Sequence, residues 1–168
     1  MKSGTNEVSR KEALGTFCSG LLGVTTAVVI NPLVAQADIT NKIASSTALR
    51  ALKQAEKRLP YLLPTVKDND FLGVKSFLRT PPFDEIRKNG SILVRGAEDG
   101  PKSNELQSTY KDLIGSIEKI DGTASLGMRG RKVPQLQLLE EYDIISASLK
   151  SFLKVSEEAV EIPLQYAD

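Results

Sequence analysis

Pro134-Gln135-Leu136-Gln137-Leu138-Leu139-Glu140-Glu141-Tyr142-Asp143-Ile144-Ile145-Ser146-Ala147-Ser148-Leu149-Lys150-Ser151-Phe152-Leu153 opens the stretch on which the fold turns. Leu138, Tyr142, Ile145, Leu149, Phe152, Ser156 and Ala159 recur at alternating intervals of four and three residues. That period lays them along one stripe of an α-helix. Leu139, Ile144 and Leu153 widen the stripe, and no Gly or Pro interrupts it before Pro163. Pro134 suits a first turn, where its missing N–H would have had no partner. Glu140 and Glu141 stand near the positive end of the helix dipole. A helix with one apolar stripe must bury it against other helices, so the rest of the chain is read for partners.

Three stretches answer. Ala48, Leu52, Ala55 and Leu59 share a face within a first predicted helix over 40–59, which Pro60 closes. Pro64 keeps the next residues extended. Asp68-Asn69-Asp70 is a capping cluster before Phe71, Val74 and Leu78. A second helix is predicted over 69–95, kinked at Pro81-Pro82 and restarted with Thr80 as cap. A strand over 91–95 is the competing reading of Ile92-Leu93-Val94. Ser103 is predicted to cap a third helix carrying Leu106, Tyr110, Leu113, Ile117 and Ile120. Asp121-Gly122 is expected to stop it, leaving 123–133 as a loop. Four amphipathic segments with short links predict an all-α fold, an antiparallel up-down-up-down four-helix bundle.

Upstream lies an uncharged run, Ala13 to Ala37, preceded by Lys2, Arg10 and Lys11. Gly and Thr dilute its apolar residues, and no basic cluster follows, so it suits a cleavable leader better than a permanent span. Ala35 and Ala37 give small residues at −3 and −1, which puts cleavage before Asp38. The expected domains are a leader, 1–37, and a bundle, 38–168. Ser9-Arg10-Lys11 is close to the twin-arginine export pattern, though an ordinary basic segment reads the same way. Of 22 basic and 21 acidic residues, three and two fall in the leader, leaving 19 of each sign. That balance calls for neither nucleic acid nor a polybasic membrane contact. The one Cys, Cys18, lies in the leader, and the chain has no His and no Trp. The mature part therefore lacks disulfides, thiolate nucleophiles, Ser-His-Asp triads, histidine bases and most zinc sites.

The candidate constellations are few. Glu140-Glu141 and Glu157-Glu158-Glu161 are the densest carboxylates, but they fall between the stripe positions and read as a solvated face. No metal or cofactor is expected. Asp68-Asn69-Asp70-Phe71-Leu72-Gly73 imitates the start of a calcium loop but lacks its closing glutamate, and is read as a cap. Tyr110 and Tyr142 are read as core aromatics whose hydroxyls reach the surface. Gly127-Met128-Arg129-Gly130-Arg131-Lys132 lacks the spacing of a phosphate loop. Its cations suit docking on an acidic partner surface, or solvation.

Phe77-Leu78-Arg79-Thr80-Pro81-Pro82-Phe83-Asp84-Glu85-Ile86-Arg87 and Tyr110-Lys111-Asp112-Leu113-Ile114, with the export leader and the His-free bundle, resemble the PsbQ-type extrinsic proteins of photosystem II. The similarity is greatest to the algal or diatom members and spans 38–168. The chain lacks the proline-rich arm of the plant proteins and the lipobox cysteine of the cyanobacterial ones. The resemblance implies a non-catalytic subunit in the plastid thylakoid lumen, docked on lumenal loops of the photosystem and on other extrinsic subunits. It would stabilise the oxygen-evolving side and help retain calcium and chloride. Arg129, Arg131 and Lys132, then Arg87 and Lys88, are the expected docking residues. The alternative is an exported helical binding or assembly-factor module of the lumen or periplasm.

Overall fold

The structure, a computed structural model, describes residues 32–97 and 100–159, with side chains from Lys42 onward. Every regular element among the described residues is helical. α1 is Pro32–Arg58, α2 Leu62–Lys67, α3 Phe71–Leu78, α4 Ile86–Gly96, α5 Ser103–Met128 and α6 Gln135–Ala159, with a 3-10 turn, Leu59–Tyr61, between α1 and α2. The leader's apolar run up to Asn31, and Glu98, Asp99, Glu161 and Pro163, lie outside the described residues.

The helix breakers act differently from expectation. α1 begins at Pro32, not near residue 40, so Ala35, Ala37 and Asp38 sit on it in the uncut chain. Proline at a helix's first position costs nothing there. Pro60 ends α1 but supports the 3-10 turn. Pro64 does not hold the chain extended; it occupies the first turn of α2, where its lack of an N–H is harmless. Asn69 then adopts φ 52°, and Asp70 caps α3, its Oδ1 accepting from the Gly73 N–H at 2.9 Å. The expected capping cluster is therefore a real one.

Residues 69–95 do not form one kinked helix. α3 stops at Leu78, and a turn with a cis Pro81-Pro82 bond precedes α4. Two consecutive prolines remove two donors and disfavour helix before each, which breaks the helix instead of bending it. Thr80 is not a cap; its hydroxyl donates back to the Ser76 carbonyl at 2.8 Å. Pro82 and Phe83 turn inward, and the Phe77 and Phe83 rings stand 4.7 Å apart. Ile92-Leu93-Val94 is helical, so the strand reading falls.

α5 runs straight through Asp121-Gly122 to Met128. A mid-helix glycine costs about 1 kcal/mol against alanine. Against that cost, continuing the helix buries Thr123 and Ala124 completely or nearly so. Burial wins, and the predicted loop shrinks to the residues after Met128. Ser103 is the first residue of α5 and makes no capping bond; Lys102 holds the cap position.

The core draws on each of the six helices. Leu52, Leu62, Val74, Leu93, Leu113 and Leu149 are all fully buried. Named contacts fix which stretches lie side by side. Thr123 meets Glu141 and Lys102 meets Glu158 between α5 and α6. Lys75 meets Asp121 at 3.5 Å between α3 and α5, and Arg87 meets Glu118 at 2.8 Å between α4 and α5. Lys53 reaches Glu157 at 3.0 Å between α1 and α6.

Candidate functional site

Three of the expected docking residues, Arg129, Arg131 and Lys132, lie on the link between α5 and α6, and all three are exposed. The link is held from within. Arg129 caps α5, Gly130 follows at φ 76°, its N–H bonds the Gly127 carbonyl at 2.9 Å, and the Arg131 N–H bonds the Leu126 carbonyl at 3.1 Å. This is the paired-bond helix stop in which a left-handed residue reverses the chain, and glycine adopts that conformation without steric cost. Three residues earlier, Phe71 of α3 lies across Gly127. A Cβ there would stand 2.5 Å from the phenyl ring. Val133 packs against the core, and the Gln135 side chain donates to the Lys67 carbonyl at the end of α2. Two glycines, one apolar anchor and one amide bond therefore fix a short link whose cations point away from the core. Sequence reading found the cations but took the preceding turn and a half of helix for loop.

Arg87 and Lys88 do not join them. Both are exposed on the first turn of α4, and Arg87 Nη2 pairs with Glu118 Oε1 at 2.8 Å. Glu118 precedes Met128 by ten residues of α5, about 15 Å along the axis. The Arg87 carbonyl accepts the Tyr110 hydroxyl at 3.0 Å, so this turn also anchors a core aromatic whose ring lies 5.8 Å from that of Phe152. Beside the pair, a groove of about 330 Å³ opens between the 79–85 turn and α5, floored by Leu78, Phe83, Ile86 and Ile117. Tyr142 is half-buried, and burial raises its phenol above the usual range, with Asp143 adding to the effect.

The acidic residues do not form one solvated face. Glu141 is only 2% exposed. Its Oε1 accepts from Thr123 Oγ1 at 2.9 Å and from Gln137 Nε2 at 3.2 Å, while its Oε2 is enclosed with no partner. Glu141 is three residues after Leu138 and four before Ile145, so it shares the buried side of α6. The stripe drawn through Tyr142 hid this, because the helix is buried over a wider arc than one stripe. Glu140 is exposed. Glu157 and Glu158 pair with Lys53 and Lys102. The hydrogen bond from Lys102 holds the Glu158 carboxyl below its usual range, and the same bond raises the Lys102 ammonium. No group of three or more acidic, His or Cys side chains able to hold a metal ion exists among the described residues. No helix among them is long and apolar enough to cross a membrane.

No protein-family model, curated protein or solved structure matches this chain.

Proposed function

We propose that this chain is a non-catalytic extrinsic subunit on the lumenal side of photosystem II, folded as an antiparallel up-down-up-down four-helix bundle. In this reading α1 with α2, α3 with α4, α5 and α6 are the four rods. The crossed contacts support it: low numbers on one rod meet high numbers on the next, as Lys102 meets Glu158 and Thr123 meets Glu141. The reading rests on the resemblance of the 77–87 and 110–114 segments. The one observation that carries a docking role is the rigidly anchored α5–α6 link, which presents Arg129, Arg131 and Lys132 with no acidic residue between Gly122 and Leu139. The bundle would cover lumenal loops and neighbouring extrinsic subunits, slow the escape of calcium and chloride, and act by shape and charge. Arg87 is a weaker docking residue than its exposure implies, because Glu118 already neutralises it.

The test is reconstitution. Tagged chain is returned to salt-washed photosynthetic membranes, and oxygen evolution and bound protein are measured. Arg129→Gln, Arg131→Gln and Lys132→Gln together should weaken rebinding at matched salt. Unchanged rebinding removes the link from the docking account, and failure of the wild-type chain to bind or restore activity removes the photosystem reading.

The second reading, an exported helical binding or assembly module, draws on the groove beside the Arg87–Glu118 pair. A concave apolar floor with a charged rim is the ordinary form of a small-ligand site. A ligand-dependent rise in melting temperature, abolished by Ile117→Trp, would favour it.

A further inference from the structure

Equal numbers of positive and negative residues over 38–168 hide an uneven placement. The α5–α6 link carries three exposed cations, and Lys67, whose carbonyl holds Gln135, adds a fourth exposed one at the same end. Carboxylates lie nearby as well: Asp70 is committed to capping α3, and Asp68 and, one turn after Leu136, Glu140 are exposed. The same end exposes aliphatic side chains that the core does not use. Leu136 is 66% exposed, Leu72 65% and Met128 52%. Leu136 opens α6, Met128 closes α5, and Leu72 follows Phe71, whose ring lies on Gly127. These residues sit at helix ends beside the α5–α6 link.

We infer that this end of the molecule is a contact surface for an anionic lipid bilayer, with Arg129, Arg131 and Lys132 at the headgroups and Leu72, Met128 and Leu136 in the interfacial layer. Three features favour a bilayer over a protein partner. The apolar residues are flexible aliphatics, without the aromatic anchors that dominate protein hot spots. They stand exposed at helix ends, where a deformable surface can reach them. The cations are long, and such side chains keep charge at the headgroups while their stems cover apolar ground. Anionic lipid rewards each nearby Lys or Arg by about fivefold in partition. The inference reassigns the α5–α6 link from a protein partner to the membrane surface without depending on the photosystem reading, and protein-free vesicles suffice to test it.

Full-length chain is sedimented with phosphatidylcholine vesicles, with and without phosphatidylglycerol, at low and high salt. Because the leader, with its apolar run and its own cations, can add affinity, the comparison is between variants of equal charge. The triple Arg129→Gln, Arg131→Gln, Lys132→Gln should lose about a hundredfold in partition to anionic vesicles. A control triple, Lys111→Gln, Lys150→Gln, Lys154→Gln, removes the same charge from the exposed sides of α5 and α6 and should lose less than about fivefold. Leu72→Ser with Leu136→Ser should lose roughly tenfold with no change in helical content. All the changed side chains are half-buried or more exposed, so each variant folds as the parent. Equal losses in the two triples, binding indifferent to lipid charge, or no loss from the serine pair each overturns the inference. If vesicles fail to bind while salt-washed photosynthetic membranes still do, the end docks on protein: the bilayer contact is refuted and the photosystem reading survives.

Discussion

Thr123→Val removes one hydroxyl from the interface between α5 and α6, and its cost can be worked from the contacts of Glu141. The carboxylate is enclosed, Oε1 takes two hydrogen bonds and Oε2 takes none. Valine keeps the shape but withdraws the shorter of the two donors. A hydrogen bond to a charged group is worth about 1.5–3 kcal/mol net, and the stranded carboxylate oxygen keeps its desolvation cost. The single change should therefore destabilise by about 2 kcal/mol. The double change, Thr123→Val with Glu141→Met, should be no less stable than the parent. It removes the buried charge together with its donor, and apolar replacements of similar volume commonly match or exceed a buried polar arrangement. Gln137 then returns to solvent, which its exposure allows. Urea unfolding followed by far-ultraviolet circular dichroism measures both. With a slope of about 2 kcal/mol per molar, the single variant should move the midpoint down by about 1 M, and the double should restore it. A single variant within about 0.5 kcal/mol of the parent, or a double as unstable as the single, would refute the reasoning.

Two glycines on α5 should respond with opposite signs. A Cβ at Gly122 meets nothing within 4 Å, so Gly122→Ala should stabilise by about 1 kcal/mol, whereas Gly127→Ala meets the Phe71 ring and should destabilise by about 1–2 kcal/mol. Melting curves of the two variants decide it, and Phe71→Leu should restore much of the loss at Gly127. The Lys102–Glu158 pair lies at the surface, its side chains 38% and 42% exposed, and carries a pH signature, not a large stability term. The folded Glu158 carboxyl titrates below its unfolded value, so the pair's contribution is present above the unfolded value and fades as pH falls through the folded one. The folded Lys102 ammonium titrates above its unfolded value, so its contribution is complete below that value and fades as pH rises through the folded one. Carboxyl NMR titration should show Glu158 returning towards the ordinary glutamate range in Lys102→Gln; no movement would dismiss the pair.

Much of the helical pattern is legible locally because apolar spacing and capping act over neighbouring turns. The stripes of α5 and α6, the Asp70 cap and the stop at Pro60 come from such short-range rules. So do the cations of the α5–α6 link, found as a basic cluster among glycines. What those rules missed shares one physical cause. Asp121-Gly122 is a stop signal only if the residues after it bury nothing, and Thr123, bonded to Glu141 of α6, and Ala124 are both buried. Glu140 and Glu141 are equivalent as neighbours in sequence; only the second faces Thr123 across the helix interface. Pro81-Pro82 signals an interruption, but whether the chain bends or breaks depends on where Phe83 finds a place, and it finds one beside Phe77. Local chemistry therefore determined that the chain is helical and where its charges fall. Tertiary packing decided how far each helix runs, which carboxylate is enclosed and which end carries exposed cations with exposed aliphatics, because the free energy that overrides a weak local signal comes from surfaces distant in sequence.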